Sequence, residues 1–289
     1  MVSNEKFFKK NIKFGDQYIG EGNPVFLIAE IGINHNGDLN KAIDLIKAAK
    51  ESGADTAKLQ TYVTEKRVTK DNPVYDILKK CELSFKDHKE LFDFAKSINF
   101  KIFSTAFDDD SIYLLEELNT PAYKIASFDS VNKKLISKIE QTNKPVIMST
   151  GMTTKSELDE ALNIISKNRT KETELAIMHC VSSYPLKEDE ANLATINYLK
   201  TFFPGPVGFS DHSLTDTLIK YSVASGSTII EKHFTLSRED EGPDHKLSAD
   251  PKMLKEIVSQ IKNIKKIFGE KFLGVRKNEK NTEIFRRPS

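Results

Sequence analysis

The chain of 289 residues is predicted to be an α/β protein, a (β/α)8 TIM barrel with an N-terminal β-hairpin. Two observations carry that expectation. Eight short apolar runs recur along the sequence, and each consecutive pair is separated by a polar segment of helical periodicity long enough for a crossover helix. Nearly every run ends in a charged, hydroxyl or imidazole side chain, and in such barrels the C-terminal strand ends form the catalytic face.

The runs are residues 25–32 (VFLIAEIG), 56–61 (TAKLQT), 101–106 (KIFSTA), 122–127 (AYKIAS), 146–151 (VIMSTG), 174–180 (ELAIMHC), 207–212 (VGFSDH) and 227–234 (STIIEKHF). Before them, residues 11–24 alternate around glycine turns and predict a small hairpin that plugs the barrel's N-terminal mouth. Crossover helices follow from apolar residues at i, i+3, i+4 and i+7, as in Leu39, Ile43, Leu45, Ile46 and Ala49, or Leu91, Phe92, Phe94, Ala95 and Ile98. Residues 62–85 are longer than an ordinary βα loop, contain a short helix over 74–81, and are placed to cover substrate. A last helix is expected over 250–269. The chain therefore divides into an N-terminal extension with its hairpin (1–24), a catalytic barrel (25–269) and a linker-like tail (270–289).

Bulk properties narrow the function. With 43 basic and 42 acidic residues the net charge is +1, so total charge points to neither nucleic acid nor an anionic membrane, and any anion site must be local. No uncharged apolar stretch reaches the roughly 18 residues of a membrane helix, and the start lacks a signal peptide's apolar core, so a soluble, cytoplasmic protein is expected. Cys81 and Cys180 are too few for a disulfide framework and are read as reduced thiols, Cys180 as a packing residue.

The strand ends sort by chemistry. His212 and His233 close the seventh and eighth runs, which are neighbours in a closed barrel, and two such imidazoles can share a divalent metal; a plain hydrogen-bonding role is the alternative for each. Lys124 with Thr105, Ser127, Ser149, Ser182 and Ser210 offers a point charge and several hydroxyls, the donor set a phosphate wants, although any one hydroxyl could equally serve a turn or cap. Glu30 and Lys58 end adjacent strands. They make either a structural salt bridge or a pair in which Lys58 holds a substrate carboxylate while Glu30 orients a reacting group. Asp129 and Asp244 lie just past strand ends, suited to sugar hydroxyls or to helix capping. His35 sits in a Gly/Asn-rich loop, His88 is expected on a helix surface, and His179 faces away from Cys180 because adjacent strand residues point to opposite sides.

Taken in order, AEIGINHNG, KLQT, STAF, YKIAS, STGM, SSYP, GFSDHS, EKHFT and GPDHKLSADP resemble the N-acetylneuraminate (sialic acid) synthase family, with its legionaminic and pseudaminic acid branches, over residues 12–289. The resemblance implies a barrel enzyme that condenses phosphoenolpyruvate with an N-acylated amino hexose such as N-acetylmannosamine, releasing phosphate. It implies His212 and His233 as ligands of manganese, or of magnesium or cobalt, and Glu30 as the catalytic glutamate. Lys58, Thr105, Lys124, Ser127, Ser149, Ser182 and Ser210 would hold phosphoenolpyruvate, and Asp129, Tyr184 and Asp244 the sugar. Three departures accompany it. Phe128 and Asp129 follow Ser127 where glycine and glutamate are frequent, Ser182 stands where some members carry asparagine, and the sequence ends at Ser289, before the antifreeze-like domain of typical members that sends an arginine into the partner's site of a dimer. A homodimer, weakened by that lack, is the expected assembly. Two other functions remain open: a related 3-deoxy-sugar-phosphate synthase, for whose acceptor phosphate only Lys232, Arg238 and Lys246 are available, and a catalytically weak barrel acting as a binding or assembly subunit.

Overall fold

The computed structural model describes residues 7–167, 172–270 and 272–287, so the expected segments 1–24 and 270–289 lie partly outside the described residues. An antiparallel hairpin, β1 (Asn11–Phe14) and β2 (Gln17–Gly20), precedes eight parallel strands closed into a barrel. These are β3 (Phe26–Gly32), β4 (Thr56–Thr61), β5 (Ile102–Ala106), β6 (Tyr123–Ile125), β7 (Val146–Ser149), β8 (Leu175–Cys180), β9 (Val207–Asp211) and β10 (Ile229–His233). They run in chain order around the barrel, and β10 pairs with β3 to close it. Every predicted run contains one of these strands, with bounds shifted by at most a few residues.

Period-two alternation divides each strand between two environments. One parity faces the helices: Leu27, Ala29 and Ile31, Ala57 and Leu59, Tyr123 and Ile125, Val146 and Met148 belong to the large core outside the barrel. The other parity points inward. Phe26, Ile28, Phe103, Ile147, Ala176, Met178 and Ile229 fill the lower barrel together with Ile12, Phe14 and Ile19 of the hairpin, which is therefore the predicted plug. Continuing the inward parity upward along β3, β4, β5, β6, β7 and β10 gives Glu30, Lys58, Thr105, Lys124, Ser149, then Glu231 and His233. The polar layer thus lies directly on the apolar one. Gly208 is required in this packing, since a Cβ there would stand 2.5 Å from the Ile229 carbonyl oxygen.

Several helices begin where side chains satisfy their free amides. Helix α1 (Leu39–Glu51) is capped by Asp38, which accepts from the Asn40 amide at 2.8 Å. Helices α2 (Thr64–Arg67) and α3 (Tyr75–Cys81) lie in the long segment after β4, and α4 (Phe85–Ser97) starts at a Ser84/Asp87 capping box. Then come α5 (Asp109–Glu117), α6 (Lys133–Gln141), α7 (Lys155–Ser166), α8 (Ala194–Lys200), α9 (Thr217–Ala224) and α10 (Pro251–Phe268), the last capped by Asp250 with proline at its first turn. His88 corrects the surface expectation. It shares the apolar stripe of α4 with Leu91 and Ala95, is buried, and its Nδ1 lies 3.0 Å from the Ser84 carbonyl. Among the described residues no helix is long and apolar enough to cross a membrane.

Candidate active site

The top of the barrel holds a pocket whose floor is a network of buried charge. Adjacent strands β3 and β4 place Glu30 opposite Lys58 in register, and Lys58 Nζ lies 2.8 Å from Glu30 Oε2. Barrel closure brings Glu231 to the same ammonium at 3.6 Å, and its other oxygen lies 3.7 Å from Lys124 Nζ. Hydroxyls complete the set: Lys58 donates to Thr105 Oγ1 at 3.1 Å, Lys124 to Ser149 Oγ at 2.7 Å, and Ser210 Oγ to Glu231 at 3.0 Å. All four charged groups are at most 6% exposed, so each depends on the others for its charge.

Proton affinities in this network are driven apart. Burial raises the Glu30 carboxyl to about 7, Lys58 resisting and Glu231 assisting. Burial also works against the charge of Glu231, but Lys124, Lys58 and the Ser210 hydroxyl outweigh it and hold that carboxyl down to about 2. Burial likewise opposes the Lys58 ammonium, yet Glu231 and Glu30 raise its proton affinity above the ordinary lysine range. Lys124 is lowered by burial and by the like charge of Lys58. The two carboxyls are thus driven in opposite directions, Glu231 toward the ionised form between two lysines and Glu30 toward a proton affinity near neutrality. Such separation is the mark of acid/base sites.

At the ends of β9 and β10 the two imidazoles face each other with centroids 5.6 Å apart, and the Tyr184 ring packs over His212 at 4.1 Å. His212 Nδ1 donates to the Val181 carbonyl at 2.9 Å, so the neutral ring carries its lone pair on Nε2; burial opposes the charged ring, but Cys180 and the Val181 carbonyl outweigh it and raise its proton affinity. His233 is held neutral by burial, its Nδ1 has no hydrogen-bond partner, and Asp244 Oδ2 lies 3.8 Å from it. These two nitrogens fit part of the donor set of a divalent cation. Among the described residues no three His, Cys, Asp or Glu groups converge on one point, so water and substrate oxygens would have to complete the shell.

The remaining expected residues are placed as follows. Ser127, in the turn after β6, lines the pocket and accepts from the Gly151 amide at 3.0 Å, and Tyr184 lines the opposite wall. Ser182, Asp129 and Asp244 are not among the residues that line the pocket. A Cβ at Gly151 would come within 2.6 Å of Ser182 Oγ and 2.8 Å of Ser127 Oγ, so glycine lets these hydroxyls approach. Asp129 accepts from Asn132 at 3.4 Å. Lys232, by contrast, points outward to Asp211 at 2.9 Å and is fully buried, while Arg238 donates to the Lys246 carbonyl. They build no acceptor-phosphate cluster.

Some pocket residues escaped the sequence reading. Cys180 is corrected from packing residue to pocket wall, with Sγ 3.9 Å from His212 Nδ1. Glu231 had a signal: it stands two residues before His233, hence on the same strand face. Gln60, likewise two residues after Lys58, donates to Glu30 Oε1 at 3.4 Å. Arg67 ends the one-turn helix α2 and Phe107 follows β5, segments too short for a period to report orientation.

Relatives match this architecture over most of its length. The chain is 44% identical over 260 residues to an uncharacterized protein of Methanocaldococcus jannaschii, covering 90% of this chain and 77% of that one. It is 40% identical over 276 residues to the N,N'-diacetyllegionaminic acid synthase of Campylobacter jejuni, covering 90% and 83%. The crystal structure of a sialic acid synthetase from Leptospira borgpetersenii, solved in complex with citrate, superposes with a TM-score of 0.91 at 36% identity over 97% of each chain. The family model described as NeuB matches residues 45–272, and with these relatives it establishes that the chain belongs to the NeuB family.

Proposed function

We propose that this member of the nonulosonic acid synthases condenses phosphoenolpyruvate with an N-acylated amino hexose, giving a nine-carbon 2-keto acid and inorganic phosphate. The observation that carries the reading is the pair of buried lysines, Lys58 and Lys124, flanked by Thr105, Ser149 and Ser210 and set beside a carboxyl that titrates near neutrality. Phosphoenolpyruvate bears a carboxylate and a phosphate; two fixed cations with convergent hydroxyls match them. Lys58 takes the carboxylate end and Lys124, with Ser127, Ser149, Ser182 and Ser210, the phosphate end. Tyr184, Asp129 and Asp244 face the sugar.

His212 and His233 would hold a divalent metal, manganese foremost with magnesium or cobalt as alternatives, which when bound supplies a Lewis acid for the acceptor's aldehyde oxygen. The new bond forms between C3 of phosphoenolpyruvate and the aldehyde carbon, whose oxygen takes up a proton. Water adds at C2, the resulting hydroxyl loses its proton, and the C2–O bond to phosphate breaks. Glu30 is placed to orient or deprotonate a reacting group, and the buried lysines fix the anionic ends so that attack is effectively unimolecular.

The test is phosphate release from phosphoenolpyruvate with manganese and either N-acetylmannosamine or a diacetamido hexose. Release with one of these acceptors is expected, and none from a well-folded sample would sink the proposal. Glu30→Gln should leave phosphoenolpyruvate affinity within a few-fold while turnover drops by roughly 100-fold or more, as for loss of a general acid or base. Undiminished turnover would remove Glu30 from the chemistry.

A further inference from the structure

The segment after β4 brings to the pocket a cation that the lysine network does not include. Arg67 ends α2, and its guanidinium carbon stands 3.6 Å from the centroid of Phe107 and 4.7 Å from that of Tyr62. The platform beneath it is firmly built. Tyr62 donates to the Leu78 carbonyl at 2.9 Å, the Val63 amide to Asp108 at 2.8 Å, and the Thr64 amide to Glu82 at 2.9 Å. Tyr62 and Phe107 also belong to the small apolar cluster of Ile33, Leu78 and Cys81. An arginine on such a support is preorganised, so a ligand pays little entropy to meet it.

Its hydrogen-bonding capacity is largely unspent. A guanidinium has five N–H donors, and among the described residues one is engaged, Nη1 to Gln60 Oε1 at 3.1 Å. No carboxylate of the described residues forms an ion pair with it. None of its nitrogens is among the buried polar atoms that lack a partner, so the remaining donors open onto the pocket and are available to an oxygen of a bound ligand. That oxygen belongs to the second substrate, because Lys58 and Lys124 already match the anionic ends of phosphoenolpyruvate.

We propose that Arg67, seated on Phe107, is a specificity-determining residue that reads the acylamino substituent of the acceptor sugar, donating to its carbonyl oxygen while Phe107 packs against the acyl group. An acylamino group offers a strong acceptor oxygen next to an apolar methyl, which matches a guanidinium next to an aromatic ring. A free amino sugar would instead bring an ammonium toward a fixed cation and be repelled. The assignment rests on the condensation proposed above.

The experiment compares kcat/KM for N-acetylmannosamine and for mannose in the wild-type chain, Arg67→Ala and Arg67→Lys, with the KM for phosphoenolpyruvate measured alongside. Loss of a hydrogen bond to a charged group corresponds to about 10- to 100-fold, so the acetylated-to-plain ratio should fall by that factor in Arg67→Ala and by less in Arg67→Lys. The KM for phosphoenolpyruvate should stay within about two-fold, which also establishes that the site is folded. An unchanged ratio overturns the assignment, as does a rise in the phosphoenolpyruvate KM that accounts for the whole loss. A wild-type preference for the 6-phosphorylated sugar that vanishes in Arg67→Ala would also overturn it, by making phosphate the group read. Absence of phosphate release by the wild-type chain with every acceptor overturns the underlying reaction and this assignment with it, and so differs from all of these.

Discussion

Glu231 illustrates how much a single buried carboxylate can hold in place. It lies between Lys58 at 3.6 Å and Lys124 at 3.7 Å, and the Ser210 hydroxyl fixes one of its oxygens. Replacing it with glutamine keeps the shape and removes the charge, leaving two ammonium groups with Glu30 as the remaining acidic neighbour. Breaking a buried ion pair from one side costs about 3–5 kcal/mol. In a domain of this size that corresponds to a fall in Tm on the order of 10 °C. Phosphoenolpyruvate brings its own negative charge to the same lysines, so the ligand-induced rise in Tm should be larger in Glu231→Gln than in the wild type. Thermal melts with and without the ligand check this, and equal melting of the free forms would contradict it. The residue also marks where sequence reading stops. A polar side chain at the end of an apolar run is conspicuous, which is why Glu30, Lys58 and Lys124 stood out. In IIEKHF three polar residues follow one another, and only strand parity separates inward Glu231 and His233 from outward Lys232.

At the scale of elements, the loop between β3 and α1 makes a buried turn around His35, which is 1% exposed and whose Nδ1 accepts from the Gly37 amide at 3.1 Å. Burial, followed by the nearby positive charge of His88 and Lys41 and offset in part by Asp38, lowers this imidazole from 6.5 to about 3. The sign follows from linkage. Unfolded chain takes up a proton below pH 6.5 that the folded chain refuses until about pH 3, so the stability is fully present above 6.5 and is lost as pH falls through that window. One such group adds about 1.4 kcal/mol per pH unit to the slope. His35→Gln should flatten the dependence of unfolding free energy on pH between 4 and 6 by about that amount, measured by urea denaturation at a series of pH values. An unchanged slope would mean that His35 does not report on folding. The turn was legible as a Gly/Asn loop, but its burial was not, because composition does not disclose that the β10–α10 connection covers it: Asn34 reaches the Phe234 carbonyl at 2.8 Å, and Asn36 the Glu241 carbonyl at 2.8 Å. His88 was misjudged for a related reason. The helical period is carried by apolar side chains, and a histidine that shares their stripe does not register in it.

For the whole molecule, closure of the barrel makes one site out of distant segments. Because β10 returns to β3, His233 lies in register with Glu30, some two hundred positions earlier in the chain, and the imidazole pair is joined to the acid and lysine network. This follows from the eightfold repeat, which is why the catalytic face could be anticipated while Arg67 and Phe107, carried by short segments outside that repeat, could not. The same closure separates the proposed metal ligands from the elements that hold the fold. The lower barrel is packed by apolar side chains and the hairpin, and the large core lies outside among the helices. Removing a bound cation should therefore leave the architecture standing. After dialysis against a chelator, metal content measured by atomic emission should fall to near zero, turnover with phosphoenolpyruvate and the acceptor should be lost, and Tm should drop by no more than a few degrees. Manganese should restore turnover. His212→Gln and His233→Gln should each weaken metal retention by roughly 10- to 100-fold or more, since each withdraws one of two nitrogens from the shell, and even the loss of an outer-shell partner costs that much. Full turnover in protein shown by atomic emission to be free of metal would exclude the cation from the reaction and reassign the two imidazoles to substrate binding.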